Sequence, residues 1–154
     1  MKAFQEHYTD DFSHCFGCGT KNDKGHQLKT NWEGGNSVSY FTPSPEHTAV
    51  PGYVYGGLIA SLIDCHSTAS GSAALFKEEG SGSEFYPRCV TAKLCVDYIK
   101  PTPLGVKLKL IGRISEIKGR KVTVKTELFA GDEICARGEA IVVRIPDDFL
   151  KSKN

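Results

Sequence analysis

The sequence has no long apolar run, no excess of one charge and no internal repeat. Its apolar residues stand in runs of only a few, far short of the ~20 that span a bilayer, and the N-terminal stretch lacks the apolar core of a secretory signal. The 19 Lys and Arg residues nearly balance 18 Asp and Glu residues, so nothing favours binding to a phosphate backbone. We therefore expect a cytoplasmic protein with neither a membrane nor a nucleic-acid partner.

Cysteine is plentiful, with six residues, yet a disulfide framework is not expected. A chain of 154 residues can build a core without one, and no export signal is evident. Cys15 and Cys18 form a single Cys-x-x-Cys pair that His14 and His26 could complete as a zinc site. The alternative, which we favour, is a tight glycine-rich turn with buried thiols, so we expect no metal and no cofactor.

Length and composition predict one domain over residues 1–154, because 40% of the residues are hydrophobic and the length suits a single core. Residues 1–13 are interpreted as an N-terminal arm and residues 147–154 as a polar tail. Turn-forming residues predict a compact loop over 14–26, and glycine with proline predicts another over 77–88.

The strongest periodic signal predicts one long helix from about Tyr55 to Phe76, a stretch without proline. One stripe of this helix is apolar and should face a core: Leu58, Ile59, Leu62, Ile63, Ala69 and Ala73. The opposite stripe consists of small residues and one carboxylate: Gly57, Ser61, Asp64, Thr68 and Gly71. Small residues allow close approach, so we expect the helix to lie between its own sheet and a second element, with Asp64 in that second interface.

Alternating apolar and polar residues predict antiparallel strands, each with one buried face. The predicted strands cover residues 28–32, 37–41, 90–99, 106–110, 121–128 and 134–142. In the third of these, Val90, Ala92 and Leu94 share one face. A single amphipathic helix and one such sheet predict an α+β fold in which the antiparallel sheet wraps around the central helix.

The residues in the first half of the predicted helix indicate a catalytic site. The first amides, at Gly56 and Gly57, lack partners within the helix and can stabilise an oxyanion, although two glycines can also simply turn the chain. Asp64 lies two turns along the same side, where a carboxylate can direct water, or itself, at a carbonyl. Thr68 can hold that carboxylate or water, or bond its own helix backbone. The pattern indicates acyl transfer or hydrolysis without a Ser–His–Asp triad.

Two other groups leave a structural and a functional interpretation open. Cys65 and His66 are neighbours whose side chains point about 100° apart on a helix, so we interpret His66 as a core histidine rather than half of a dyad. The basic turn at 118–121 is either a solvated hairpin or a clamp for phosphates.

The sequence resembles a known family at several places. Residues 55–64, YGGLIASLID, are similar to the His-Gly-Gly-x6-Asp/Glu segment of hotdog-fold acyl-CoA thioesterases of the phenylacetate-pathway and 4-hydroxybenzoyl-CoA branch. The segment HCFGCG at 14–19, the stretch 90–101 and Gly119-Arg120 at the hairpin tip resemble further segments of that branch. The resemblance extends from about residue 14 to 145.

This resemblance implies an acyl-CoA thioesterase that releases a carboxylic acid and CoA. Gly56 and Gly57 would polarise the thioester carbonyl, Asp64 would be base or nucleophile, and Thr68 would help hold the attacking water. Tyr55 stands where the family has histidine, and a phenol donates a hydrogen bond with different geometry. That departure keeps a non-catalytic acyl-CoA sensor open as the alternative.

The resemblance also implies where the substrate binds. Arg120, with Lys118 and Lys121, would contact the CoA phosphates. The full set of predicted substrate-binding residues is Asn22, Ser61, Lys118, Gly119, Arg120 and Lys121. The family implies a homodimer or a tetramer of dimers with sites between subunits. A hydratase on the same fold is a third hypothesis, but it needs a catalytic histidine that the spacing of Asp64 and His66 does not supply.

Overall fold

The computed structural model of the chain describes residues 1–80 and 82–151. Within them lie short 3-10 turns at Phe4–His7, Asp10–Phe12 and Pro45–His47. The longer elements are β1 (Thr30–Glu33), β2 (Asn36–Phe41), α1 (Gly56–Glu79), β3 (Cys89–Tyr98), β4 (Leu108–Lys118), β5 (Lys121–Ala130) and β6 (Glu133–Arg144). Residue 81 of the predicted 77–88 loop and residues 152–154 of the predicted tail lie outside the described residues.

The strands form one six-stranded sheet in the order β1-β2-β4-β5-β6-β3, and every neighbouring pair is antiparallel. Helix α1 packs across one face of this sheet and contacts every strand. The predicted α+β architecture, one long helix held by an antiparallel sheet, is confirmed. The strands β1 and β3 are the two edges.

Helix α1 buries the apolar stripe that the sequence predicts, and all six of its members are at most 3% exposed. It begins after Tyr55 and ends before Gly80, whose left-handed φ of 55° stops the helix. The predicted boundary at Phe76 was too early. Residues 77–79 are helical because no breaker occurs before Gly80.

The small-residue stripe of α1 divides into two parts. Gly71 is buried against β6, where a Cβ would come within 2.9 Å of Val142 Cγ1. Towards the start of the helix, Ser61, Asp64 and Thr68 are half-buried and Gly57 is exposed. One part therefore packs on the sheet, while the other faces a cavity and solvent.

Strand β3 departs from strict alternation. A bulge between Thr91 and Lys93 turns Thr91 towards the helix, while Val90 and Ala92 are exposed. The prediction that Val90 and Ala92 share a buried face with Leu94 was wrong, because a bulge sets two residues opposite one and reverses the faces beyond it.

Strand β4 is longer than predicted and continues to Lys118. Its second half carries exposed Ser115 and Glu116, and a second bulge lies between Ile114 and Glu116. The prediction stopped at residue 110 because the next inward position is Gly112, where a Cβ would come within 2.6 Å of His66 Nε2, so the apolar alternation ends before the bulge.

The first residues pack on the helix and the sheet. Phe4 is 3% exposed and lies against Ala69 and Ala73 of α1. The Gln5 side chain exchanges hydrogen bonds with Thr30 of β1, donating to its hydroxyl at 3.0 Å and accepting from its backbone N–H at 2.9 Å. No helix in residues 1–80 and 82–151 combines the length and the apolar character that a membrane crossing requires.

Candidate active site

A cavity of about 360 Å³ lies between α1, the start of β3 and the N-terminal segment. Helix α1 contributes Asp64, Cys65 and Thr68 to its wall. Thr91 of β3 and Tyr8 of the N-terminal segment face them. Two residues predicted from the helix spacing, Asp64 and Thr68, therefore line the same cavity.

A chain of hydroxyl groups leads to the carboxylate of Asp64. Thr91 donates its hydroxyl to Asp64 Oδ1 at 2.5 Å, and the Thr68 and Thr91 hydroxyls share a hydrogen bond of 2.8 Å. Thr68 therefore acts on the carboxylate through Thr91. Because one oxygen of Asp64 accepts from Thr91, the other can accept a proton from a molecule in the cavity.

The start of α1 lies apart from this cavity. Gly56 and Gly57 do not line it, and the Tyr98 hydroxyl donates to the Gly56 carbonyl oxygen at 2.8 Å. The Tyr55 ring lies directly over Gly57, where a Cβ would come within 2.7 Å of Tyr55 Cε2. Gly57 and Asp64 are seven positions apart, about 10 Å along a helix, so within one chain the two groups cannot contact the same carbonyl.

Three cysteines line the cavity next to Asp64. The sulfur atoms of Cys15, Cys18 and Cys65 lie within 4.8 Å of one another, and the Cys15 and Cys65 sulfurs are 3.8 Å apart. Hydrogen bonds from the other two thiols lower the pKa of Cys15, and hydrogen bonding and burial raise the pKa of Cys65. His14 and His26, the other ligands considered from the sequence, are not part of this group.

Aromatic residues form much of the remaining wall. Burial raises the pKa of the Tyr8 phenol well above its usual value, and its buried hydroxyl has no hydrogen-bond partner among residues 1–80 and 82–151. Tyr86 lines the cavity and also stacks on His7, with ring centroids 4.5 Å apart. Tyr86 is thus both a loop anchor and a wall residue, whereas Phe85 is 50% exposed and lies outside this cavity.

The predicted substrate-binding residues are not gathered at one place. Asn22 braces its own loop by donating to the His14 carbonyl at 3.1 Å. Ser61 lies near Gly17 on the half-buried face of α1. The turn at 118–121 is exposed at a hairpin tip, where the Arg120 carbonyl accepts the Arg144 N–H at 2.9 Å.

That hairpin tip lies at the same end of the sheet as the cavity. Arg144 is paired with Cys89, which lines the cavity. Arg88 brings a guanidinium to the cavity itself and forms ion pairs with Asp11 at 3.1 Å and Asp147 at 3.5 Å. Two carboxylates therefore compensate the charge of Arg88, and the positive charge at this end of the molecule comes from Lys118, Arg120 and Lys121.

His66 is a core residue, as predicted. It is fully buried, and its Nδ1 and Nε2 share hydrogen bonds with Ser39 Oγ at 2.7 Å and Ser37 Oγ at 3.1 Å. Burial lowers the pKa of His66 to about 3. The ring points into the sheet and takes no part in the cavity.

The residues that sequence reasoning missed are Thr91, Tyr8 and Arg88. Thr91 was assigned to the solvent face because the alternation gave no sign of the bulge. Tyr8 and Arg88 lie in segments interpreted as an arm and a loop. Such segments have no hydrophobic periodicity, so the sequence does not indicate which of their side chains face the interior.

A model of the thioesterase superfamily matches residues 51–136. Among curated proteins, the chain is 32% identical over 108 residues to acyl-coenzyme A thioesterase THEM4 of Xenopus laevis, covering 70% of this chain and 44% of that protein. The chain therefore spans less than half the length of this relative.

Solved structures show the same architecture. A thioesterase superfamily protein from Shewanella loihica is 47% identical, with a TM-score of 0.70, covering 90% of this chain and 100% of that one. The smu.793 protein of Streptococcus mutans, solved bound to acetyl CoA, is 18% identical with a TM-score of 0.62, covering 77% of this chain and 88% of that one. The second likeness concerns the fold alone.

Proposed function

Because this chain belongs to the thioesterase superfamily and has the hotdog fold, we propose that it hydrolyses acyl-CoA thioesters. The observation that carries the proposal is the position of Asp64, a helix carboxylate held by Thr91 at the wall of a cavity. Support for the substrate class comes from the name of the Xenopus relative and from the acetyl CoA bound to the Streptococcus protein.

In the proposed reaction Asp64 is the general base. Its free oxygen takes a proton from water, and the water oxygen forms a bond to the thioester carbonyl carbon. The tetrahedral intermediate then collapses, the C–S bond breaks, and the CoA sulfur leaves with the proton. The products are a carboxylic acid and CoA, and no cofactor is needed.

A second route makes Asp64 the nucleophile. The carboxylate would then form an anhydride with the acyl group and release CoA, before water cleaves the anhydride. Rapid quenching followed by mass spectrometry distinguishes the routes, because only this one adds the mass of the acyl group to the protein.

We further propose that the complete site lies between two copies of the chain. The amides of Gly56 and Gly57 and the carboxylate of Asp64 are about 10 Å apart on one helix, yet hydrolysis needs both at one carbonyl. An antiparallel helix from a second copy would bring its Gly57 opposite Asp64. The small, half-buried face of α1 leaves room for that approach, in a homodimer or a tetramer of dimers.

Binding of CoA phosphates is assigned to the basic end of the molecule. Lys118, Arg120 and Lys121 are exposed at the hairpin tip. Guanidinium groups bind phosphates through paired hydrogen bonds, so these side chains suit the nucleotide end of the substrate.

The test is an assay of thiol release over short, medium, branched and aromatic acyl-CoAs with the Asp64→Asn variant. Asparagine keeps the size of the side chain and removes its capacity to accept a proton, so we expect a loss of kcat of about 10²–10⁴-fold with an unchanged circular dichroism spectrum. Asp97→Asn, an exposed change on β3, is the matched control and should keep full activity.

Two outcomes would contradict the proposal. Activity of Asp64→Asn within a few-fold of wild type would remove the carboxylate from the chemistry. Tight acyl-CoA binding without turnover by the wild type would instead favour the sensor, the alternative suggested by Tyr55 in place of histidine.

A further inference from the structure

Three thiols from distant parts of the chain meet beside the cavity. Cys15 and Cys18 lie in the turn-rich segment before β1, and Cys65 lies on α1. Their sulfur atoms form one group in which every pair is within 4.8 Å. All three are free thiols, so the group is not a disulfide.

The spacing of the sulfurs suits a tetrahedral metal ion. A Zn–S bond of about 2.3 Å and tetrahedral angles place two ligand sulfurs about 3.8 Å apart, and the Cys15 and Cys65 sulfurs are 3.8 Å apart. Cys15 and Cys18 also have the Cys-x-x-Cys spacing with which short turns hold zinc. Thiolate sulfur selects soft cations such as Zn²⁺ over Mg²⁺ or Ca²⁺.

The backbone around the group is shaped to hold the sulfurs where they are. A Cβ on Gly17 would lie 2.2 Å from Cys65 Sγ, and one on Gly19 would lie 2.5 Å from the Cys15 nitrogen. The Gly19 N–H donates to the Cys15 carbonyl at 2.8 Å, which fixes the turn that carries Cys15 and Cys18.

A fourth position would be open towards the cavity. Among the residues that the structure describes, no further His, Cys, Asp or Glu atom joins the three sulfurs. All three cysteines and Tyr8 line the same cavity, and the buried Tyr8 hydroxyl lacks a partner there. A bound water would complete the ligand set and offer that hydroxyl an acceptor.

We propose that Cys15, Cys18 and Cys65 bind one Zn²⁺ ion as thiolates, with water in the fourth position. Binding releases the three thiol protons to solvent and involves no oxidation. The ion ties the turn segment to α1 beside Asp64. The single Cys-x-x-Cys pair did not predict this site, because its third ligand lies on the helix. The proposal does not depend on the thioesterase activity.

The experiment measures metal directly. The protein is purified under reducing conditions without chelator from cells supplied with zinc, and its metals are quantified by mass spectrometry. We expect about one zinc per chain. The Cys15→Ser and Cys65→Ala variants should each lose about 90% of the bound zinc or more, because the two remaining thiolates bind the ion far more weakly. Cys95→Ser, an exposed thiol outside the group, is the matched control and should retain it.

A second measurement tests the proposal on the wild-type protein, in case the Cys15 and Cys65 variants fold poorly. Apo wild-type protein titrated with Co²⁺ should develop the sulfur-to-cobalt charge-transfer absorption of a thiolate site, and Cys95→Ser should behave alike. Wild-type protein that contains no zinc and gives no such absorption would overturn the proposal, as would a Cys15–Cys18 or Cys15–Cys65 disulfide in the purified protein. Equal zinc content in Cys15→Ser and Cys95→Ser would also overturn it.

Discussion

Thr91 is the side chain that touches the carboxylate of Asp64, and its role can be separated from that of Thr68. Thr91→Val removes a hydrogen bond to a charged group, which is worth about 1.5–3 kcal/mol. We expect kcat to fall about 10–100-fold while KM changes little. Thr68→Val should have a smaller effect because Thr68 reaches Asp64 only through Thr91.

The control for these variants is Thr123→Val, on β5 outside the cavity. Steady-state kinetics on the best acyl-CoA of the panel provide the measurement. A Thr91→Val enzyme with wild-type kcat, or a larger loss for Thr68→Val, would mean that the hydroxyl chain does not orient the carboxylate.

His66 makes stability depend on pH. Burial holds its pKa at about 3 in the folded chain, against 6.5 for an ordinary histidine. Below pH 6.5 the unfolded chain therefore binds more protons, so this contribution to stability is complete above pH 6.5 and is lost as the pH falls towards 3. The loss is about 1.4 kcal/mol per pH unit.

Urea unfolding of wild type and His66→Gln between pH 7 and 5 checks this expectation. The glutamine amide can still bond Ser37 and Ser39 but does not titrate. The free energy of unfolding of the variant should therefore fall less steeply than that of wild type, by about 1 kcal/mol per pH unit. His14→Gln, an exposed change, should keep the wild-type slope. If the free energy of unfolding changes with pH equally in wild type and His66→Gln, His66 is not the group that makes stability depend on pH.

At the scale of elements, the contact between α1 and β6 depends on the missing side chain of Gly71. An alanine there would put its Cβ 2.9 Å from Val142 Cγ1, and such overpacking costs about 1–3 kcal/mol. Val142→Ala removes the two Cγ methyl groups but keeps the Cβ, which would still lie 3.0 Å from a Cβ at position 71. We expect Gly71→Ala to destabilise the wild type and to cost less in the Val142→Ala protein, where the higher helix propensity of alanine offsets part of the remaining crowding.

The free energy of unfolding of the four proteins, taken from urea titrations, gives both effects in one cycle. Gly82→Ala, where a Cβ meets nothing within 4 Å, serves as the control. The same cost of Gly71→Ala in both backgrounds would show that Val142 does not set the limit.

The elements also show what the sequence could predict. Asp64 and Thr68 were found because they lie on one helix, where spacing alone decides which residues share a face. Thr91 was missed because a bulge reversed the faces of β3, and the alternation carries no mark of it. Cys65 was not joined to Cys15 and Cys18 because contacts between distant segments depend on how the helix sits on the sheet.

At the scale of the whole molecule, the proposed shared site predicts that two inactive chains can repair each other. Asp64→Asn and Gly57→Val each disable one part of the site. In a dimer that contains both, one site carries both defects and the other is intact. Random pairing of equal amounts should restore about a quarter of wild-type activity.

The measurement mixes the two variants, exchanges their subunits and compares thiol release before and after exchange. Light scattering on the same samples gives the oligomeric state. A mixture that stays as inactive as its components, although mixed dimers form, would place the whole site within one chain.

The N-terminal segment supplies much of the cavity wall without carrying the proposed chemistry. Tyr8, Cys15 and Cys18 all precede residue 51, where the match to the superfamily begins, whereas Asp64 lies within it. Evolution could therefore exchange this wall for one of another shape and change the preferred acyl chain, leaving the hydrolytic apparatus intact. Grafting the first eighteen residues of a relative onto this chain should then change the acyl-chain preference while Asp64 and Thr91 stay in place.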